Sequence, residues 1–307
     1  MFSILIPTFN NLSYLKLCLN SIEKNSQYKH QILIHINEGS DGTLEFVKNL
    51  AYTYTFSEKN IGMPKALNKI SKKAKNNYII ISHDDFYYCP GWDEEFIKEI
   101  KLTNHNNFYL SGTTIGATNS FSTKSGTLPA FYDAGDSVEN FDENKLLNNI
   151  EIIKSYDFQG ATKQPGLVHI DLWKKVGGWS EEFSPTGGDD TDFLMKLWIA
   201  NVRIFKGLGK SLVYHCGSIT TRKKGKNFNT YLGSRGGKIF LKKWKISINF
   251  FERFYLKSGI DNNKKKIVNK FDGPLRNPKK NIKFFYELLK CKIQNFYLVI
   301  INFNYKK

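Results

Sequence analysis

Apolar and polar positions along the first part of the chain follow two alternating periods. Short apolar runs typical of buried strands occupy residues 2–6, 31–36, 52–56 and 78–81. The first three runs are each followed by apolar residues at helical spacing, in segments that begin near Asn11, Leu44 and Pro64. Strands that alternate with helices predict a parallel, doubly wound α/β sheet, in which ligands bind beyond the carboxyl ends of the strands.

The pattern is less regular further along the chain. Between residues 108 and 158, Gly, Ser, Thr and Asn are frequent, which predicts a loop-rich region that forms part of a substrate site or a mobile lid. Beyond this region the pattern predicts strands at 166–170, 202–205 and 211–215, and helices at 171–176 and 191–200.

Length and charge predict two unequal parts. With 307 residues, of which 41% are hydrophobic, the chain is long enough for one large packed domain and an appendage. The net charge of +17 is concentrated at one end, because residues 222–307 contain 23 Lys and Arg against 4 Asp and Glu, and residues 1–221 carry −2. We therefore predict an α/β domain at 1–221 and a basic, mainly helical extension at 222–307.

The extension carries apolar residues at helical spacing between Phe240 and Tyr255, among several lysines. One interpretation is a helix that binds an anionic membrane surface. The alternative is a helix that packs on the α/β domain and exposes its basic face. We expect no nucleic-acid partner, because the first 221 residues are slightly acidic and contain no reader motif.

The cysteines indicate the compartment. Cys18, Cys89, Cys216 and Cys291 form no C-x-x-C pair, which indicates a reducing compartment without disulfides or structural zinc. The N-terminal segment lacks the basic region of a signal peptide, and no segment has the ~20 apolar residues of a membrane span. We expect a cytoplasmic protein, with peripheral contact to the inner face of a membrane left open.

Two pairs of adjacent carboxylates suggest chemistry. Asp84-Asp85 follows the apolar run 78–81, where like charges repel and burial increases the repulsion. Such a pair is stabilised by a divalent cation, because carboxylate oxygens are preferred ligands of Mg²⁺ and Mn²⁺. Asp189-Asp190 begins a predicted helix. In both cases the alternative is that a carboxylate only caps a turn or a helix.

Together with other short motifs, these pairs resemble one family over residues 1–221. The sequence is similar to the GT-A fold glycosyltransferases of family 2, which are inverting and use nucleotide sugars. The motifs occur in the family's order: Pro7-Thr8-Phe9-Asn10, Glu38-Gly39-Ser40, Asn60-Ile61-Gly62, Asp84-Asp85, Gly178-Trp179, Asp189-Asp190 and His215. The resemblance implies a metal-dependent transfer of a sugar to a hydroxyl of a glycan or lipid-linked acceptor.

The resemblance implies a nucleotide site and a metal site. Glu38 matches the acidic residue that contacts the base, where Asp is usual, and a plain turn is the alternative. Asp84 matches the last carboxylate of the D-x-D motif, but Ser82 replaces the first. His215 matches a late histidine that completes the metal site for Mn²⁺ or Mg²⁺ in many GT-A enzymes, with a structural histidine as the alternative. The implied nucleotide-binding set is Pro7, Thr8, Glu38, Ser40, Asn60, Lys65 and Asp84, and the implied metal ligands are Asp84 and His215.

The resemblance also implies the catalytic residues. An acceptor hydroxyl must lose its proton as it attacks the anomeric carbon, so that a carboxylate has to face it. We assign this base to Asp190, with Asp189 as the second candidate. Gln164, Asp85 and Trp179 are assigned to the acceptor and sugar pocket, with core packing as the alternative for Trp179.

Two other functions remain as alternatives. A nucleotidyltransferase would carry a Gly-rich loop after its first strand, where this chain has Pro7-Thr8-Phe9-Asn10. A non-catalytic protein of the same fold would bind a nucleotide or an anionic surface. The Ser82 replacement is compatible with that reading, whereas the intact Asp189-Asp190 pair argues against it. The resemblance implies a UDP- or GDP-sugar as donor. Which of the two bases is used, the sugar, the acceptor, the linkage and the oligomeric state are not predicted.

Overall fold

The computed structural model describes residues 1–116, 130–160, 164–216, 234–258, 260–261, 266–267 and 269–304. Ten strands form the main sheet: β1 Ser3–Phe9, β2 Gln31–Asn37, β3 Thr53–Ser57, β4 Tyr78–Ile81, β5 Phe86–Tyr88, β6 Phe108–Gly116, β7 Ala130–Phe131, β8 Phe158–Gln159, β9 Gly166–His169 and β10 Ile204–His215. A separate two-stranded sheet consists of β11 Ile260–Asp261 and β12 Lys266–Ile267.

The described helices flank this sheet and extend into the C-terminal part. They are α1 Leu12–Asn25, α2 Thr43–Lys48, α3 Met63–Ser71, α4 Trp92–Thr103, α5 Glu143–Asn148, α6 Ile150–Ile153, α7 Ile170–Val176, α8 Asp189–Ile199, α9 Arg235–Trp244, α10 Ile248–Phe250 and α11 Ile282–Ile300. A short 3₁₀ helix covers Glu181–Phe183, and a π-helical turn covers Phe251–Leu256.

The predicted doubly wound, mostly parallel sheet is confirmed. The strand order is β3-β2-β1-β4-β9-β6-β10-β5, with β7 and β8 attached to β6 and β10. The run from β3 to β4 is parallel, as is the β6–β10 pair, whereas β9 and β5 are antiparallel to their neighbours. The carboxyl ends of β1, β2 and β4 therefore lie at one edge of the sheet.

The strand β1 is longer than the sequence predicts and passes through Pro7 instead of ending there. Its pairing with β4 stops at Leu5, so that β2 is its remaining neighbour at Pro7 among the described strands. A proline is tolerated there, since a strand with one open side can lack an N–H donor.

The loop-rich prediction for residues 108–158 is wrong at its beginning. Residues 108–116 form β6, which is buried along its whole length in the sheet. Its two adjacent threonines find partners inside the sheet: Thr113 Oγ1 donates to the Leu208 carbonyl oxygen and Thr114 Oγ1 to that of Gln164, both at 2.8 Å. A polar composition therefore concealed a buried strand.

The two short strands predicted at 202–205 and 211–215 are one strand, β10. Its register against β6 shifts between Gly207 and Leu212. Glycine is required in this interval because a Cβ at Gly209 would lie 2.2 Å from the Ser155 carbonyl oxygen. The glycine-rich segment is therefore an irregularity within one continuous strand, and it does not separate two strands.

The C-terminal helices pack on the α/β part. Phe240 and Phe251 are fully buried in a cluster that also contains Trp198 and Phe193. The ring of Tyr255 meets that of Trp198 edge-on at 5.3 Å. The aromatic stripe between residues 240 and 255 therefore faces the core, which favours the packing interpretation. The single helix expected there is wrong, because α9 ends at Trp244 and the rest of the stripe lies on α10 and the π-helical turn. The expected domain boundary at residue 221 lies outside the described residues.

A buried carboxylate joins the two parts of the chain. Asp192 of α8 is fully buried and accepts hydrogen bonds from Trp244 Nε1 at 2.7 Å and from Ser180 Oγ. The ammonium of Lys243 lies 2.9 Å from the same carboxylate. A buried charge is stable when it is paired and hydrogen-bonded, so that these contacts fix α9 against the first turn of α8.

The loop before α8 is in direct backbone contact with α9. A Cβ at Gly236 would lie 1.6 Å from the Gly187 carbonyl oxygen, whereas a Cβ at Gly237 would meet its nearest neighbour, Ser234 Oγ, at 3.5 Å. Gly236 is therefore required for the close approach of α9 to this loop, and Gly237 is not.

We expect Gly236→Ala to lower the free energy of unfolding by about 1–3 kcal/mol, because the added methyl group displaces a packed backbone. Gly237→Ala is the matched control and should leave stability unchanged or raise it by about 0.5–1 kcal/mol, since alanine favours a helix over glycine. Urea unfolding of both variants measures the difference. Equal stability of the two would contradict the described contact.

Candidate functional site

The loop between β4 and β5 places the first carboxylate pair beside the end of β10. His215 Nε2 lies 3.0 Å from Asp85 Oδ2, and the Cys216 N–H donates to the Asp85 carbonyl oxygen at 3.2 Å. This contact follows from the β5–β10 register, in which His215 pairs with Phe86, the residue after Asp85. The structure therefore places Asp85, which the sequence analysis assigned to the sugar pocket, against His215.

The two adjacent carboxylates have different electrostatic surroundings. Burial and the charge of Asp85 raise the pKa of Asp84 to about 7, although the side chains of Thr8 and Asn11 offset part of the rise. Burial also acts to raise the pKa of Asp85, but the charge and hydrogen bond of His215 lower it below its usual value. Asp85 therefore keeps its negative charge more readily than Asp84.

Two polar atoms in this loop indicate that a ligand belongs here. Asp85 Oδ1 and His83 Nε2 are buried and have no hydrogen-bond partner among the described residues. Burial lowers the pKa of His83, so that its imidazole is neutral and can accept a hydrogen bond or bind a cation. Because an unsatisfied buried carboxylate oxygen is costly, its presence favours a bound cation or donor.

The described residues do not include a complete protein cage for a metal. No group of three or more His, Cys, Asp and Glu side chains is arranged to hold an ion in that part of the chain. Asp85 and His215 nevertheless supply one carboxylate and one imidazole, a donor set suited to Mn²⁺. A metal that also binds a diphosphate needs only a few protein ligands, so that these residues fit such an ion.

A hydrogen-bonded cluster lies at the ends of β1 and β2. Asn10 Nδ2 donates to Glu38 Oε1 at 3.1 Å and to Ser40 Oγ at 3.0 Å, and Ser40 Oγ donates to the same Glu38 oxygen. Asn10 and Glu38 both have a positive φ, at 46° and 64°, which turns the chain sharply after each strand. The half-buried Glu38 carboxylate is thereby held at the edge of the sheet.

The other predicted nucleotide-binding residues surround this edge. Thr8 is buried near the end of β1, and Pro7 precedes it in a half-buried position. Asn60 Oδ1 accepts from the Gly62 N–H at 2.9 Å and thereby shapes the entry to α3, whereas Lys65 is exposed on the first turn of that helix. These residues lie on the elements that border the site, but no direct contact joins Lys65 to the carboxylate loop.

The second carboxylate pair begins α8, and its two members differ. Asp189 is only 3% exposed and accepts from the Gly187 N–H at 2.8 Å and from Thr186 Oγ1 at 3.2 Å. Burial and the charge of Asp190 raise the pKa of Asp189 to about 7. Asp189 therefore holds the loop before α8, as in the capping alternative.

Asp190 is half-buried and accepts from the Thr191 N–H at 2.8 Å. Its charge acts to raise the pKa of His83 and of the buried Tyr109, so that Asp190 lies near both the β4–β5 loop and β6. The structure thus brings together the two carboxylate pairs, which are about a hundred residues apart in sequence.

Gln164 and Trp179 take different places. Gln164 is buried, and its side chain also acts on the pKa of His83, so that it borders the carboxylate loop. Trp179 is 2% exposed and packs against Phe193, with a ring distance of 6.2 Å. Asn68 fixes it by bonding both the carbonyl oxygen and the N–H of Trp179, at 2.8 and 2.9 Å. This placement matches the core-packing alternative for Trp179.

Sequence reasoning did not assign roles to Asn10 and His83. Asn10 belongs to the motif Pro7-Thr8-Phe9-Asn10, and its position soon after the first predicted strand could have indicated a binding role. His83 occupies the middle of Ser82-His83-Asp84, where the D-x-D pattern gives no requirement for a residue type. Its orientation toward Asp85, with 3.9 Å between His83 Nδ1 and Asp85 Oδ1, depends on the fold of the loop.

Comparison with known proteins agrees with this geometry. Residues 3–161, which include β1 to β8 and both the Glu38 and Asp85 loops, match the family described as Glycosyl transferase family 2. The chain belongs to this family. Family membership supports a transferase activity, and it confirms the resemblance that the ordered motifs indicated.

Two curated relatives of this family 2 glycosyltransferase are similar over part of their length. An uncharacterized glycosyltransferase of Rickettsia conorii is 34% identical over 116 residues, which cover 36% of this chain and 19% of that protein. An uncharacterized glycosyltransferase of Mycoplasma genitalium is 32% identical over 115 residues, which cover 34% of this chain and 37% of that protein. The chain thus matches well under half the length of either relative.

Solved structures share the fold at low sequence identity. S. aureus TarS 1–349 in complex with UDP-GlcNAc has a TM-score of 0.55 at 15% identity, covering 86% of this chain and 69% of that chain. GalNAc-T7 with UDP, GalNAc and Mn²⁺ has a TM-score of 0.52 at 14% identity, covering 70% of this chain and 43% of that chain. Both likenesses support the GT-A fold.

We expect Asp189→Asn to gain stability relative to the wild type as the pH rises from 5 to 8. The folded protein holds the Asp189 proton up to about pH 7, whereas an unfolded chain releases it near pH 3.8, so that wild-type stability falls as the pH rises through this interval. Asparagine cannot ionise and keeps an oxygen that accepts from Gly187. The expected gain at pH 8 is about 1–3 kcal/mol.

Urea unfolding at both pH values measures this difference. Asp272→Asn, which removes an exposed carboxylate from the segment before α11, is the matched control and should change stability equally at both pH values. A stability difference for Asp189→Asn that does not depend on pH would contradict the buried environment of Asp189.

Proposed function

We propose that this family 2 glycosyltransferase moves a sugar from a nucleotide-diphosphate sugar to a hydroxyl of a glycan or lipid-linked acceptor, with inversion at the anomeric carbon. The observation that carries the proposal is the position of Asp190 at the start of α8, close enough for its charge to act on His83 in the loop that also contains Asp84 and Asp85. A base on one side and a diphosphate site on the other is the arrangement that direct displacement needs.

The donor is proposed to be a uridine diphosphate sugar. Similar solved structures include TarS in complex with UDP and with UDP-GlcNAc, and GalNAc-T7 with UDP. In this chain the Glu38 carboxylate, held by Asn10 and Ser40, can accept the uracil N–H at the end of β2. The pocket for the sugar is proposed to include Gln164, which borders the carboxylate loop.

The cofactor is proposed to be Mn²⁺ or Mg²⁺, held by Asp85 and His215. Asp85 has an unpartnered buried oxygen and a lowered pKa, and both features suit a cation. Such a metal supplies positive charge that stabilises the departing diphosphate. Asp84, whose pKa is raised to about 7, is proposed to bind the nucleotide as a hydrogen-bonding carboxyl group beside Thr8 and Asn11.

The chain's own residues then perform the proton transfer. The acceptor oxygen forms a bond to the anomeric carbon while the bond from that carbon to the diphosphate breaks, and the hydroxyl proton moves to the Asp190 carboxylate. One displacement inverts the configuration. Asp189 holds the loop before α8 through Gly187 and Thr186, and thereby positions its neighbour.

The non-catalytic alternative is supported by one observation. Ser82 occupies the first position of the carboxylate motif, and its hydroxyl accepts a hydrogen bond from Tyr88 at 2.7 Å, inside the core. In this alternative the protein binds a nucleotide without turning over a sugar donor. The two functions differ in whether the wild type releases UDP from a UDP-sugar.

The cellular location is proposed from the cysteines and the helices. All four cysteines are free and buried, which supports a reducing, cytoplasmic compartment. No helix in the described part of the chain is long and apolar enough to cross a membrane. We propose that the protein acts at the inner face of a membrane, where lipid-linked acceptors are reached from the cytoplasm.

We expect calorimetry to detect UDP binding that requires Mn²⁺ and is abolished by EDTA, with weaker binding of GDP and CDP. Asp85→Asn should weaken the Mn²⁺-dependent affinity by at least about tenfold, because it removes the charged ligand. Asp171→Asn, which removes an exposed carboxylate from α7, is the control and should bind UDP as the wild type does. Binding of none of the three nucleotides would contradict the donor site.

We expect Asp190→Asn to bind UDP normally but to release UDP from UDP-sugars at least about 10²-fold more slowly, because it lacks the base. Chromatographic measurement of UDP from a panel of UDP-sugars tests this, with Asp171→Asn again as control. An Asp190→Asn variant with wild-type turnover would exclude Asp190 as the base, and no turnover by the wild type would favour the non-catalytic alternative.

A further inference from the structure

The last helix has an apolar face that points away from the protein. Phe284, Cys291 and Leu298 are buried at seven-residue intervals and attach α11 to the rest of the chain. The opposite face is apolar as well. Its residues and exposed fractions are Ile282 89%, Tyr286 58%, Leu289 55%, Ile293 55%, Phe296 66% and Ile300 62%.

This exposure is concentrated in one place. Seventeen large hydrophobic side chains in the described residues are exposed, and ten of them belong to α11 and the residue after it. Nineteen helical residues span about 28 Å, so that the apolar stripe is long and continuous. Scattered exposed hydrophobic residues are ordinary, but a continuous stripe indicates a binding surface.

Positive charge borders the apolar face. Lys283 and Lys290 lie on one side of it and Lys292 on the other, all exposed. Arg276, Lys279 and Lys280, in the segment just before the helix, are exposed too. Glu287 is the one acidic residue of α11, and Lys290 pairs with it at 3.2 Å.

This charge distribution discriminates between two occupants. The spacing of the apolar face alternates between four and three residues, which would also suit pairing with a second copy of the helix. In such a pair Lys283, Lys290 and Lys292 would flank the seam on both helices, beside the exposed Phe285, Tyr297 and Val299, without carboxylates among them. Like charges at these positions oppose pairing, whereas an anionic surface neutralises them.

We propose that the outer face of α11 binds the surface of a lipid bilayer that contains anionic phospholipids, with the helix axis in the membrane plane. Its apolar side chains enter the boundary between headgroups and acyl chains, and its lysines contact the phosphates. In-plane binding agrees with the finding that no described helix is long and apolar enough to cross a membrane. This inference does not depend on the proposed transfer reaction.

The surface differs from the one that the sequence analysis considered. The stripe between Phe240 and Tyr255 faces the core, so that it is not available to a membrane. The two helical segments are nevertheless connected: the Ser247 N–H donates to Cys291 Sγ at 3.3 Å, and Lys242 Nζ donates to the Phe303 carbonyl oxygen. Through α9 and Gly236, α11 is linked to the loop that precedes Asp189 and Asp190.

Vesicle co-sedimentation of the full chain tests the proposal. We expect the wild type to bind vesicles of 70% phosphatidylcholine and 30% phosphatidylglycerol at least tenfold more tightly than vesicles of phosphatidylcholine alone, since each lysine near the surface contributes about fivefold. The triple variant Leu289→Gln, Ile293→Gln, Phe296→Gln should lose at least tenfold in affinity for the anionic vesicles.

A matched variant controls for surface hydrophobicity in general. Leu102, Ile152 and Ile199 are exposed by 70%, 77% and 61% and lie outside α11, so that their triple change to Gln should leave vesicle binding unaltered. The variant Lys283→Gln, Lys290→Gln, Lys292→Gln should lose most of the preference for anionic vesicles. Circular dichroism and UDP binding of each variant establish that it is folded.

Three outcomes would overturn the proposal. The first is a folded wild type that binds neither kind of vesicle. The second is a folded α11 variant that binds anionic vesicles as tightly as the wild type. The third is a dimer, observed by sedimentation equilibrium, that the α11 variant dissociates while vesicles fail to compete with it, because the face would then be occupied by a second copy.

Discussion

The structure depends on holding carboxylates at a partly buried edge of the sheet, where their mutual repulsion is strong. Burial raises the pKa of Asp84 and of Asp189 to about 7, so that one member of each adjacent pair resists ionisation. In the first pair Asp85 keeps its charge, because the charge and hydrogen bond of His215 lower its pKa. A parallel sheet and a helix start supply the positions at which this arrangement becomes useful for binding a cation and for accepting a proton.

The C-terminal part supports the same edge from outside. Asp192, two residues after Asp190, is neutralised by Lys243 and hydrogen-bonded to Trp244, and Gly236 lies directly against Gly187. The first turn of α8, which carries the proposed base, and the loop before it are therefore both held by the C-terminal part. The same C-terminal part includes α11, whose exposed face we propose to bind a membrane. One structural unit would thus both position the proposed base and dock the enzyme on a membrane.

Much of the fold was predictable because local pattern and tertiary environment agree. The strand at 78–81 and the helix that starts near Pro64 follow directly from apolar periodicity and helix-start chemistry. β6 was not predictable, since Thr113 and Thr114 resemble loop residues until their hydroxyls find buried carbonyl oxygens. For the site, residue types indicated Asp84, Asp85 and His215, but only the β5–β10 register shows that Asp85 is the partner of His215.

The stereochemistry of turnover is a direct test of single displacement at the anomeric carbon. Proton NMR can follow the anomeric signal released when the enzyme cleaves α-linked UDP-sugars with Mn²⁺ and water or an acceptor. We predict that the first product has the β configuration, because one displacement on the side opposite the diphosphate inverts the anomeric carbon. A first product with the α configuration would contradict direct displacement assisted by Asp190.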